Sequence, residues 1–350
     1  MIVAAGNPAG YNRSVREFDI VTLDRLRRID VEPQVDVWLE YARRQGVHGA
    51  ILSWLSIHPE EFYRVELGEE QSSFVTARGW EDLSELIHGY EALEVPVTEN
   101  VIRQYLQHEG AARRFGAYYR LYRQYGMDYP VQDILNGTAV DLDGCVSMAA
   151  KAGMEERFTV VNMLSDALCR DMNGYVRDDR FITELHEMLS VLSGFMKQGS
   201  LDEFIAQRRA GLSAKAVADL LTPARYRQED ALLRSLEEYA LIVHKEHITE
   251  PGAVFQRIKE LFGAEREARR ETVAEMHRRL NRAFAFVERA FGGDSGEVLL
   301  FVSSLAHSEA VMSFVSRHGS DDFLRYSGKL LYQEQELALQ EQCRQILKEV

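Results

Sequence analysis

MIVAAGNPAGYN, residues 1–12, is the stretch on which the reading of the fold turns. Its apolar run ends in Gly6-Asn7-Pro8, the pattern of a buried strand that delivers a polar amide to its C-terminal edge. In an open α/β sheet that edge is where ligands bind, and an Asn there can orient a water or contact a phosphate oxygen. Asn-Pro is also a common turn pair, and by itself the stretch reads better as a turn.

Working outward, Arg27-Arg-Ile-Asp-Val-Glu32 predicts a second strand, with Ile29 and Val31 alternating with charged neighbours before Pro33 stops it. From there the periodicity is helical. Val37, Trp38, Tyr41 and Ala42 recur at helix spacing, and Gly46 supplies a stop. Further helices are predicted over 48–57, 80–93 and 111–125, the first of them ending before Pro59. Thr98-Glu-Asn-Val marks one more helix start between them. Gly126-Met-Asp-Tyr-Pro130 reads as a linker. Beyond it the pattern predicts helices at about 139–152, 156–173, 179–197, 201–220, 223–247 and 252–291, and four more at about 297–305, 307–317, 321–326 and 330–349. The expected fold class is mainly α.

Composition narrows the function classes. The 350 residues carry a formal net charge of -14, which disfavours non-specific binding to nucleic acid or anionic membranes by the chain as a whole. Apolar runs such as Val298-Leu-Leu-Phe-Val302 fall far short of the ~20 residues of a membrane span. Cys145, Cys169 and Cys343 are widely spaced, as free thiols in a reducing compartment would be, so a cytoplasmic location is expected.

Three short segments carry more in sequence order than singly. Val3-Ala-Ala-Gly-Asn7-Pro8 is followed by Leu23-Asp24-Arg25-Leu26, and then by Phe74-Val-Thr-Ala-Arg78-Gly-Trp80-Glu-Asp-Leu83. Together they resemble the second half of a MoxR-like AAA+ ATPase module. The resemblance implies Asn7 as the sensor 1 residue, Arg25 as the arginine finger and Arg78 as the sensor 2 residue of a helical lid. Asn7 and Arg25 would then be catalytic, and Arg78 would contact the nucleotide. It also implies ATP and Mg²⁺ as cofactors of the complete module, a homo-oligomeric ring, and remodelling of a client protein. These residue types suit phosphoryl chemistry. A neutral amide places water without adding repulsion, and a permanently charged guanidinium fork matches phosphate oxygens.

Two parts of the family pattern are missing, the phosphate-binding loop and an apolar strand ending in the Asp-Glu pair that would hold Mg²⁺. The chain has no G-x-x-x-x-G-K-[ST] loop, and Ser327-Gly328-Lys329-Leu330 lacks both the first Gly and the hydroxyl residue. The expectation is therefore a remnant of the AAA+ core over 1–32, a lid over 33–129 and an all-α extension over 130–350, truncated and inactive alone, with no cofactor of its own. The alternative is a non-catalytic helical interaction module derived from such an ATPase.

Other constellations read as structural. His244 and His247 offer two imidazoles at i and i+3 without a third ligand, so no metal site is expected there. Phe115, Tyr118, Tyr122 and Tyr125 form one helical stripe, a packing face with arginines on its wet side. Val273, Met276, Leu280, Phe284 and Val287 form the seam of a bundle helix.

Overall fold

The computed structural model describes residues 6, 24, 25, 27, 29–66 and 73–328. The first strand and Asn7 lie outside the described residues. The second predicted strand does not form: residues 29–34 are irregular, with Ile29 and Val31 84% and 88% exposed. Alternating apolar residues make a strand only where a neighbour accepts the backbone hydrogen bonds. No described strand pairs with this segment.

Helices α1 (Val35–Gln45), α2 (Gly49–Ile57), α3 (Ala77–Ala92), α4 (Glu99–Tyr105) and α5 (Glu109–Asp128) follow. The stop at Gly46 is a left-handed cap with φ 75°, and its amide returns to Ala42 and Arg43 carbonyls. On α3, Trp80, Leu83, Ser84 and Ile87 are buried at helical spacing. They meet Trp38, Leu39, Ile51, Leu55, Ile102, Phe115 and Tyr118 in one core. Between α2 and α3 lies a hairpin unforeseen from the sequence, β1 (Arg64–Glu66) against β2 (Ser73–Val75). It is antiparallel with Val65 opposite Phe74, and each strand has three residues, too few to show alternation. The expected linker at 126–130 is no open connection: α5 runs to Asp128, and Tyr129 is fully buried with its hydroxyl donating to Glu156 at 2.6 Å.

The remaining helices are α6 (Val131–Asn136), α7 (Leu142–Lys151), α8 (Met154–Phe195), α9 (Leu201–Val217), α10 (Pro223–Lys245), α11 (Pro251–Phe291), α12 (Gly296–Ala306) and α13 (Glu309–His318). Residues 321–328 are helical as well. The break expected between 173 and 179 is absent. Gly174 sits inside the 42-residue α8, where one glycine costs about 1 kcal/mol and burial of Met172 and Tyr175 on either side outweighs it.

The chain divides into two compact units. The first holds the described residues up to Gln132 together with Ala139–Asp166 and Val287–Ser308. Within it a buried hydroxyl chain joins three helices, Tyr118 of α5 donating to Ser53 of α2 at 2.6 Å and lying 3.1 Å from Thr159 of α8. The second unit holds Asp133–Thr138, Ala167–Phe286 and the described residues from Glu309 onward. Part of its core is a four-helix cluster: Leu185, Leu189 and Leu192 pack with Leu201 and Phe204, Leu232 and Leu236, and Val254 and Ile258. The expected seam of α11 is largely realised, with Met276, Leu280, Phe284 and Val287 buried.

Gly137 of the second unit requires its residue type. It ends α6 at φ 75°, and a Cβ there would lie 2.7 Å from Arg282 Nε. Arg282 needs that space to donate to the Leu135 carbonyl at 3.0 Å. Gly137→Ala is expected to combine left-handed strain with loss of this cap and to destabilise the chain by about 1–2 kcal/mol. A urea midpoint equal to wild type would refute that cost.

Candidate functional site

Of the residues singled out from the sequence, Arg78 has the most determined setting. β2 leads into Thr76, which caps α3 by accepting the Gly79 amide on its side chain at 3.2 Å. The Phe74 amide donates to the Gln107 carbonyl at 3.1 Å, which ties the approach to the segment after α4. Gly79 lets α3 and the end of α4 come together, since a Cβ there would stand 2.8 Å from the Tyr105 carbonyl oxygen. Trp80 is fully buried, its indole N–H donating to the Phe62 carbonyl at 3.0 Å and its ring meeting Phe115 edge-on at 5.2 Å.

Thr76, Gly79 and Trp80 therefore each have a structural reason, and Arg78 is the exception. It is exposed, and its guanidinium makes no ion pair or hydrogen bond with any described residue. It stands in the first turn of α3, where no helical carbonyl can reach the leading amides and the helix dipole is positive. An exposed cation on a fixed, electropositive base suits an anion brought to it from outside.

Arg25 lies in an exposed turn and has no hydrogen-bond or ionic partner among the described residues. Nothing in the described residues brings it together with Arg78. His244 and His247 do not share a helix face. His244 pairs with Asp202 at 3.1 Å, while His247 lies beyond the end of α10 with φ 56°.

A polar network absent from the sequence reading joins α2, α3 and α5 in the same unit. His48 caps α2, its Nδ1 accepting the Ala50 amide at 3.2 Å and its Nε2 lying 3.2 Å from Glu91. Tyr119 and Arg123 donate to the other Glu91 oxygen at 2.9 and 2.6 Å. His88 lies one turn before Glu91, with its Nε2 3.2 Å from the Gly46 carbonyl. One donor atom from each of His48, His88 and Glu91 falls within 4.8 Å of the others, so two imidazoles and a carboxylate meet as in some metal sites. The hydrogen bonds argue for another role. A His48 Nδ1 that accepts an amide proton leaves the ring proton on Nε2, where a metal needs a lone pair. Glu91 is already neutralised by Arg123. The residues fit a structural hub better than a metal centre.

Burial pushes the Glu91 carboxyl up, but His48, Arg123 and Tyr119 outweigh it and hold it at about 2, against an ordinary 4.5. A carboxyl depressed in the folded state adds stability that is complete above pH 4.5 and lost as pH falls towards 2. Glu91→Gln is expected to lower stability at pH 7 by about 1 kcal/mol, after discounting for solvent exposure. It should also flatten the urea midpoint against pH between 4.5 and 2. An acid profile as steep as wild type would show that Glu91 is not the group responsible.

A groove of about 430 Å³ between α9 and α10 is lined by Ile205, Ala206, Ala240 and Leu241. Its charged rim is satisfied internally, Arg209 by Glu237 at 2.7 Å and His244 by Asp202 at 3.1 Å, which leaves no cation directed at a ligand. Among the described residues no single helix is long and apolar enough to cross a membrane. A scan against protein-family models and searches of curated proteins and solved structures find no match to this chain.

Proposed function

We propose that residues 33–129 act as the lid of a MoxR-like AAA+ ATPase module and that Arg78 is its nucleotide-sensing arginine. The observation that carries this reading is the contrast within one turn of helix. Thr76, Gly79 and Trp80 are locked by a cap, a close backbone approach and a buried indole, while the Arg78 guanidinium is exposed and unpaired among the described residues. A cation held this way couples lid position to the charge on a bound phosphate.

On the same reading Asn7 places the attacking water, and Arg25 reaches the nucleotide of a neighbouring subunit in a homo-oligomeric ring that remodels a client protein. ATP and Mg²⁺ would be held with a phosphate-binding loop that is not within these 350 residues. The absence of that loop from the sequence also favours a second reading, a helical interaction module without catalysis. The two are separated by Mg²⁺-dependent ATP turnover in a chain that carries such a loop, compared between wild type and Arg78→Ala. Turnover that depends on Arg78 supports the lid reading, equal rates contradict the role given to Arg78, and no turnover in either chain supports the interaction module.

A further inference from the structure

A second cluster of ionisable groups lies where α8, α11 and α13 meet in the second unit. His318, the last residue of α13, has its Nε2 2.8 Å from the Tyr175 hydroxyl of α8. Its ring packs against Phe314 at 4.9 Å, and both rings meet His277 of α11, at 6.3 Å from His318 and 4.9 Å from Phe314. Arg269 of α11 sits over the Tyr175 ring, 5.9 Å from its centre. Arg269 and Arg317 both pair with Asp179 of α8, the carboxylate of this cluster. In the helical segment 321–328 that follows α13, Asp322 pairs instead with Arg325 at 3.8 Å.

We propose that His318 is an acid-sensitive latch: neutral, it holds the last turn of α13 against Tyr175 and His277, and charged, it releases that turn. Neutral imidazole keeps one lone pair, so it can share a proton with Tyr175 in either direction. The imidazolium has none and must donate, which places a full charge beside a tyrosine ring that already carries Arg269. Arg317 adds a second permanent cation, and Asp179 is occupied by both arginines. The C-terminal end of the α13 dipole favours a charged His318, but such effects are small and confined to the last turn. Burial, then His277, Arg317 and Arg269, act the other way and hold His318 below the ordinary histidine value of 6.5. For a histidine depressed in the folded state, the packed form is fully favoured above pH 6.5 and loses ground as pH falls below it. Release uncovers Phe314, which is 1% exposed and packs edge-on against Tyr175 at 5.3 Å.

The test is amide hydrogen exchange across residues 309–318 of the full chain at pH 7.5 and 5.5, corrected for intrinsic exchange rates. Opening of this helix is expected to increase in acid by no more than tenfold per pH unit, the limit for one proton. His318→Gln, which keeps a hydrogen-bonding group but cannot titrate, is expected to remove the response. Should that variant fail to fold, His277→Gln serves: without the second imidazole His318 is less depressed in the packed state, so the acid response should be smaller than in wild type. A wild-type helix whose protection does not change with pH overturns the proposal. So does a His318→Gln variant that still opens in acid, or a His277→Gln acid response as large as that of wild type.

Discussion

Trp80→Ala is expected to cost about 3–5 kcal/mol from the lost side chain and its cavity. A further ~1–3 kcal/mol follows if the Phe62 carbonyl is left without its donor. The indole is fully buried in the core formed by α1–α5, donates to Phe62 at 3.0 Å and meets Phe115 edge-on. Whole domains are stable by only about 5–15 kcal/mol, so this single change should leave the first unit close to unfolding. Circular dichroism against urea should show its transition shifted far to low denaturant. Trp80→Phe keeps most of the ring and loses the N–H, so it should fall between the two. A Trp80→Ala loss below about 1 kcal/mol would mean that Trp80 is not the anchor of α3.

Most of the described helices were readable because they carry local signals, whereas the six-residue α6 (Val131–Asn136) was not foreseen. Thr76, Ser200 and Thr222 cap helices where hydroxyl residues precede apolar spacing, and Ser200 with Glu203 completes a capping box. What failed to show locally depends on partners far along the chain. Residues 29–32 have a strand pattern without a paired strand, whereas β1 and β2 are paired strands too short to have a pattern. The joining of the two predicted helices across Gly174 reflects burial of Met172 and Tyr175, which no local propensity reports.

The candidate site divides in the same way. Arg78 is visible in sequence because its neighbours Thr76, Gly79 and Trp80 lie within four residues of one another. The hub of His48, Glu91, Tyr119 and Arg123 spans 43 positions between His48 and Glu91 and 32 between Glu91 and Arg123. Only folding brings those groups together, and His48 lacks the usual residue type of a helix cap.

Arg78→Ala should behave oppositely to Trp80→Ala. Arg78 is exposed and has no partner to lose among the described residues, so truncation should change stability by no more than about 0.5 kcal/mol. If its guanidinium stabilises charge on a phosphate in the reaction, losing it should slow hydrolysis by about 10²–10³-fold, the usual cost of one such electrostatic donor. Arg78→Lys keeps the charge without the planar fork and should recover only part of the rate.

The deciding measurement is steady-state Mg²⁺-dependent ATP hydrolysis by a chain that includes the phosphate-binding loop, wild type against Arg78→Ala, with urea midpoints recorded for both. The expected result is a rate at least about 100-fold lower in Arg78→Ala with an unchanged midpoint. An Arg78→Ala rate within about twofold of wild type would contradict the assignment of Arg78 to the nucleotide, since one lost donor normally costs far more.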